Sequence, residues 1–219
     1  MKTINYSVIG AVLVLFVGYA GAADSTQNWY FNADAGSVFR PDTILHGSFG
    51  STDHTTYNPG IRADITLGYN INNSWAVELS TGVIWNTVNK VDGVPLSSFN
   101  ETFDTYLIPN LVNVVYKIPI KHSWNSYVGV GVGSVVSIAS IHAGNYMAGN
   151  PDLSDSDFTF AYQAEAGLDY SLTKNISIGV GYKFLGMLGQ SWYMKSFHNR
   201  LSTDAIYTHA ILVNLSWKF

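Results

Sequence analysis

The sequence contains no cysteine, only six prolines and only 12% charged residues in 219. Without cysteine there is no disulfide framework, no thiol nucleophile and no thiolate-held zinc or iron–sulfur centre. The charged fraction is about half of the roughly 25% usual in soluble domains, which leaves few side chains to solvate a surface. Cations are scarce as well: eleven Lys and Arg against fifteen Asp and Glu give a formal charge of −4. Phosphate neutralisation needs a clustered excess of Lys and Arg, so no nucleic-acid partner is expected. Past residue 23 there is also no long apolar run fit for a membrane helix. The strongest stretch, Val128 to Val136, alternates Val with Gly, and each Gly inside a helix costs about 1 kcal/mol relative to Ala. That stretch reads as a strand. Gly-x-Ser-x-Gly, His-Glu-x-x-His and phosphate-cradling loops are missing too, so the expectation is a non-enzymatic chain with no cofactor and no metal.

What the chain does have is 47% hydrophobic residues, twenty glycines, fourteen tyrosines, eleven phenylalanines and six tryptophans. Aromatic and β-branched residues suit a pleated surface. Residues 1–22 read as a cleaved signal peptide: Lys2 supplies the positive start, Val8 to Val17 the apolar stretch, and Ala20-Gly21-Ala22 the small-residue cleavage site. The mature chain, 23–219, reads as one domain.

Alternation of apolar and polar residues dominates that domain. Ile61, Ala63, Ile65, Leu67 and Tyr69 share one parity, and Arg62, Asp64, Thr66, Gly68 and Asn70 the other. After Ile71-Asn72-Asn73 the pattern resumes, with Trp75, Val77, Leu79, Thr81, Val83 and Trp85 opposite Ala76, Glu78, Ser80, Gly82 and Ile84. Segments 28–40, 103–117, 124–137, 158–170, 174–185 and 205–219 behave alike, giving eight strands between two different environments.

The links between them sort into short ones, near 71–73, 118–123 and 171–173, and long polar ones, about 41–58, 88–102, 138–157 and 186–204. Strict alternation of short and long links is the pattern of an up-and-down barrel in a bacterial outer membrane, with tight periplasmic turns and long extracellular loops. The fold class expected is therefore all-β, an eight-stranded antiparallel up-and-down transmembrane β-barrel. Trp and Tyr prefer the membrane–water interface, and they cluster at strand ends: Trp29, Tyr69, Trp75, Tyr116 and Tyr170 at one end, Trp85, Phe184 and Tyr207 at the other. From Trp75 to Trp85 is ten steps of about 3.3 Å, which at a 40° tilt spans roughly 25 Å, the height of the apolar band.

Four stretches carry a family resemblance: Ile108 to Tyr116, Tyr127 to Gly133, Ser177 to Phe184, and the terminal Ile211 to Phe219. They are similar to the small eight-stranded outer-membrane β-barrels, as in OmpA-like transmembrane domains and porin-like barrel-domain proteins of Gram-negative bacteria. The resemblance implies that Ile211, Val213, Leu215, Trp217 and Phe219 form the signal read by the barrel-assembly machinery. It also implies outer-membrane lipid and lipopolysaccharide as surroundings, and the bacterial outer membrane as the location. An unidentified surface ligand of the loops is a further partner to consider.

Eight strands enclose an interior just wide enough to be filled by side chains. Parity sends Asp34, Arg62, Asp64, Glu78, Glu165, Asp169, Lys183 and Lys218 inward, where an internal charge network is expected. Its role is either a satisfied polar core or a gated ion path. In the loops, His46, His54, His142 and His198 accompany Asp42, Asp53, Asp152, Asp155 and Asp157; a surface metal site is one reading of them, and solvated polar loop residues the commoner one, since Asp152 to Asp157 lacks the glycine and terminal glutamate of an EF-hand loop. Ser140, His142, Ser196 and His198 are compared with the lipid A deacylases and acyltransferases found among small barrels, and they match poorly. The functional expectation is envelope structure or surface-loop-mediated binding, with a narrow channel for small or hydrophobic solutes, as in OmpW-type barrels, as the alternative. A soluble lipocalin-like barrel would point the same apolar parity inward; the aromatic girdles, the loop asymmetry and Phe219 weigh against it.

Overall fold

The computed structural model describes residues 28–47, 52–99, 102–120, 123–142, 153–189, 191–194 and 199–219; the leader expected over 1–22 lies outside them. Thirteen strands are present among these residues: β1 (Trp29–Phe39), β2 (Thr43–Gly47), β3 (Thr52–Tyr57), β4 (Gly60–Asn70), β5 (Trp75–Val91), β6 (Val94–Pro95), β7 (Thr102–Pro119), β8 (Trp124–His142), β9 (Leu153–Ser171), β10 (Ile176–Met187), β11 (Ser191–Met194), β12 (Asn199–Thr203) and β13 (Ile206–Lys218). Eight of them close a barrel in the order β1-β4-β5-β7-β8-β9-β10-β13, every pairing antiparallel. The β1–β13 ladder, from Tyr30 opposite Lys218 to Phe39 opposite His209, makes the closure. No free edge remains along the cylinder, so the backbone groups of the wall pair within it except between Thr81–Asn110 and Ile84–Leu107 on the β5–β7 seam.

Parity decides which side chains point where. Val130, Val132, Val180, Ile211 and Val213 are exposed on the outer surface, whereas Arg62, Asp64, Glu165 and Lys183 are buried within. Small residues leave room for large inward ones. A Cβ on Gly68 would collide with the Tyr30 ring, and one on Gly131 with the Asn113 amide oxygen.

The short-turn end is built to hold four seams whose strands are covalently joined only at the far end. Trp29 packs on Tyr69 at 4.9 Å between ring centroids, Trp75 on Tyr116 at 4.8 Å and Trp124 on Tyr170 at 5.0 Å. These pairs bridge β1 to β4, β5 to β7 and β8 to β9; on the fourth seam Ile176 faces Trp217. The same seams each end in a backbone hydrogen bond, from Asn70 N–H to Asn28 O, Lys117 N–H to Ser74 O, Ser171 N–H to Ser123 O and Lys218 N–H to Asn175 O, at 2.7–2.9 Å. Two of the short turns are closed by side chains. Asn72 Oδ1 accepts from the Ser74 and Trp75 amides, and Thr173 Oγ1 from the Asn175 and Ile176 amides, the local bonding that makes Asn and Thr turn formers.

At the other end the strands run further than their apolar alternation predicts. β5 continues to Val91, β8 to His142, and β9 begins at Leu153. The polar links at 41–58 and 186–204 contain the strand pairs β2–β3 and β11–β12. With the end of β5 they form an outer sheet ordered β11-β12-β2-β3-β5, joined by β6 through a turn at Asp92 and Gly93, both at positive φ. The Asp-Gly pair suits that two-residue hairpin because both residues tolerate the left-handed region. A strand above the membrane needs no lipid-facing apolar side, so polar residues can occupy both of its faces, buried Thr43 and Thr55 among them.

Candidate functional site

The lumen is stacked in layers, because successive inward residues on each strand change in character from the short-turn end upward. Along β1 they run Tyr30, Asn32, Asp34, Gly36 and Val38, and Arg40 follows the strand. The lowest layer is a polar vestibule, a cavity of about 300 Å³ whose lining includes Asn32, Glu78, Lys117, Tyr127, Asp169 and Lys218. In it Tyr30 Oη donates to Glu78 at 2.5 Å, and Asn214 Nδ2 to Asp169 at 3.0 Å. Lys117 Nζ donates to Asn70 Oδ1 at 2.7 Å and lies 3.7 Å from the centre of the Tyr30 ring.

Above the vestibule lies a charged plate. Lys183 Nζ reaches Asp34 at 2.9 Å, Asp64 at 3.1 Å and Glu165 at 3.8 Å, while Arg62 Nε bonds Asp64 at 2.8 Å. Arg62 Nη2 donates to Gln163 Oε1 at 2.6 Å, and Gln163 Nε2 in turn to Asn113 and Glu165. Arg62 is 1% exposed and Lys183 4%. Of the eight interior residues named from the sequence, five meet in this plate: Asp34, Arg62, Asp64, Glu165 and Lys183. Glu78 and Asp169 belong to the vestibule, and Lys218 stands at its rim, half-buried.

The next layer is apolar. Val38, Ile84, Leu107, Leu111, Val135, Ala161, Leu185, Met187, Ala210 and Leu212 form one buried cluster inside the barrel. This plug was not foreseen as a feature of the lumen, although its members stand on the inward parity. Above most of it sits an outer collar of inward polar residues, among them Arg40, Asn86, Thr105, Ser137 and Thr208; Ile206, a further member of the apolar cluster, stands two residues further out than Thr208 on β13.

On the outside, Trp29, Tyr69, Trp75, Tyr116 and Tyr170 ring the short-turn end, and Trp124 joins them without having been named. At the opposite end Trp85 donates to Asp104 at 3.2 Å, and Phe184 stacks on Tyr207 at 5.9 Å between centroids. Ile211, Val213, Leu215 and Trp217 point outward on β13, and the Phe219 amide donates to Trp29 O at 3.0 Å. His46 contacts Asp204 at 3.3 Å, and among the described residues no three His, Asp or Glu side chains are arranged around a common metal position. Asp152, Ser196 and His198 lie outside the described residues, as do the side chains of Ser140, His142 and Asp155.

Tyr30, Lys117, Trp124 and Arg40 are among the participants that sequence reasoning missed, as are Gln163 and Asn214. Inward parity was a signal for Tyr30 and Lys117; for Arg40 it was position, the residue following Val38 by two.

Comparison with known proteins agrees with this architecture. The family model for the outer membrane protein beta-barrel domain matches residues 9–219. No curated protein sequence matches. Among solved structures, the outer membrane protein OprG from Pseudomonas aeruginosa is 15% identical, with 87% of this chain and 95% of that one covered and a TM-score of 0.58. The outer membrane protein AlkL, solved in DMPC lipid bilayers, is 15% identical over 91% and 94% with a TM-score of 0.53. Neisserial surface protein A is 17% identical over 88% and 97% with a TM-score of 0.52. At these identities the likeness is one of fold.

Proposed function

The chain belongs to the outer membrane protein β-barrel family of the bacterial outer membrane, and from that premise we propose that its barrel is a closed, non-enzymatic scaffold that carries the outer sheet and loops at the cell surface. There they serve envelope structure or contact with an external ligand. The observation that carries this reading is the apolar plug, whose members are at most 2% exposed and which lies across the lumen above a charged plate. A lumen filled in this way supports the wall and offers no water-filled route. The continuous β5, one strand from Trp75 to Val91, couples the wall to the outer sheet. Outer-membrane lipid and lipopolysaccharide meet the aromatic rings, and the assembly machinery reads the strand ending in Trp217 and Phe219.

Planar-bilayer recording tests the closed lumen: the purified chain is expected to give a flat baseline, and large steady conductance would overturn the reading. Replacing residues 43–57 by a short turn is expected to keep heat-modifiable gel migration while removing surface phenotypes such as adherence or phage adsorption.

A second reading, a narrow path for hydrophobic solutes, is favoured by one observation. The β5–β7 ladder is unpaired between Thr81–Asn110 and Ile84–Leu107, where Pro109 brings no N–H to the seam. That places a weak point of the wall beside the apolar layer. Uptake of an apolar solute that is lost when a Val83→Cys and Ile108→Cys disulfide staples the seam, these two residues being opposite one another and both facing outward, would support it; uptake unchanged by the staple would remove it.

A further inference from the structure

We propose that the outer collar is a binding site for a small oxyanion, a carboxylate or a phosphate, held by Arg40. The side chain of Arg40 crosses the mouth of the barrel from β1 to β7, where Nη1 donates to Thr105 Oγ1 at 3.4 Å. One face of its guanidinium lies on the Tyr57 ring, 3.9 Å from the centroid. Arg40 is only 7% exposed, and among the described residues no carboxylate pairs with it. Two acids at this end are engaged elsewhere: Asp104 accepts from Trp85 and Thr87, and Asp157 from the Ser191 and Phe158 amides.

A guanidinium cannot shed its charge by deprotonation, and a buried charge without a counter-ion is among the costliest arrangements a protein can hold. Each cation of the plate has a carboxylate within 2.9 Å; Arg40 has one long hydrogen bond and a ring face. Its Nε has no partner, so the edge that Nε shares with Nη2 is the fork left to donate to two oxygens of one anion. That is the geometry by which Arg recognises carboxylate and phosphate.

The surroundings suit the same ligand. Phe39 is opposite His209, so one step further Thr208 stands beside Arg40, fully buried, with its hydroxyl unpartnered; the Ser137 hydroxyl of the collar is likewise buried and unpartnered. A hydroxyl can turn its proton toward an oxyanion. The apolar plug beneath separates the collar from the vestibule, so the anion arrives from outside the cell. This assignment stands independently of the surface-display reading.

The test uses the exported chain in neutral maltoside micelles, titrated with inorganic phosphate, acetate and octanoate against chloride at constant ionic strength. Unfolding temperature and calorimetric binding are both followed. A saturable rise in unfolding temperature with an oxyanion, absent with chloride, is expected. Phosphate and acetate acting as well as octanoate would assign a free oxyanion, and octanoate acting alone would assign the head of an amphiphile. Arg40→Gln should bind at least tenfold more weakly, while Arg40→Lys, which keeps the charge and loses the fork, should respond in between. In anion-free buffer Arg40→Met should unfold at higher urea than the parent, because it removes an unpaired charge. The proposal is overturned if the parent shows no oxyanion-specific shift, if folded Arg40→Gln keeps it in full, or if Arg40→Met is the less stable protein without anions.

Discussion

Replacing Lys183 by Met removes the one cation that three strands of the wall share. Its ammonium contacts Asp34 at 2.9 Å and Asp64 at 3.1 Å, with Glu165 at 3.8 Å. Met fills much of the same space, so the loss is chiefly of charge. Breaking a buried ion pair by removing one partner costs about 3–5 kcal/mol, because the other charge is left uncompensated. The two aspartates do not suffer equally. Asp64 keeps Arg62 Nε at 2.8 Å, whereas among the described residues Asp34 pairs with no other cation. Equilibrium urea unfolding in micelles or lipid, followed by tryptophan fluorescence, should therefore show Lys183→Met less stable by about 3–5 kcal/mol. Adding Asp34→Asn should recover more of that loss than adding Asp64→Asn. Were Lys183→Met to fall within about 1 kcal/mol of the parent, the range of solvent-screened pairs, the plate would be a water-filled section of lumen. Rescue by Asp64→Asn and not by Asp34→Asn would refute the pairing itself.

Leu107→Ala in the plug should lower stability by about 2–5 kcal/mol, the cost of deleting a buried side chain and leaving a cavity; urea unfolding reads the loss, and a change below about 1 kcal/mol would mean the layer is loosely packed. A double-mutant cycle of Trp75→Ala and Tyr116→Ala should give a coupling of about 0.5–1.5 kcal/mol, since the rings stand 4.8 Å apart; additive losses would deny that the pair clasps its seam. In the outer sheet, burial, a hydrogen bond with Asp92 and the charge of Asp92 together hold the Asp53 carboxyl above its ordinary range. The stabilisation from the shared proton is thus complete below the ordinary Asp value of about 4 and fades as pH rises through the elevated one. Amide-exchange protection of β3, corrected for intrinsic rates, should fall over that interval, and Asp53→Asn should flatten the dependence.

The barrel was legible because charged and apolar residues adjoin along its lower half: Asp64 beside Ile65, Glu78 beside Leu79, Lys183 beside Tyr182. There the two environments of the wall differ most, and parity alone assigns each side chain its side. Higher up the contrast fades. Ile84 adjoins Trp85, Leu107 adjoins Ile108 and Val135 adjoins Val136, with one of each pair buried in the plug and the other on the outer face. An alternating pattern cannot mark a layer that is apolar on both sides, so the plug hid inside what read as strong strands. The outer sheet was hidden for the opposite reason, since Thr52 to Tyr57 is polar on both faces. Pairing was beyond reach altogether: Lys183 and Asp34 are 149 positions apart, and their meeting depends on how far the strands are staggered around the cylinder, which parity does not encode. Arg40 was passed over because it ends a strand, where a charged residue is ordinarily solvated.

The two inner layers obstruct passage by different physics, which is why their order matters. In the plate, a permeating ion would have to displace groups already paired with one another, Lys183 among its carboxylates and Arg62 between Asp64 and Gln163. Such a layer can still admit water, and alone it would serve as a selective filter. The plug offers an ion no polar partner, and an apolar constriction blocks conduction by excluding water itself. A solute suited to the plug, being apolar, is ill suited to the plate below it, and the reverse holds for an ion that could negotiate the plate. On the closed-lumen reading proposed above, no single chemistry crosses both layers along the axis, so a molecule that entered the apolar layer from outside would have to leave sideways through the wall, and the β5–β7 seam at Pro109 is where the ladder is already unpaired. Stapling that seam is therefore the experiment that divides a scaffold from a conduit: in a scaffold it changes stability alone, and in a conduit it stops transport.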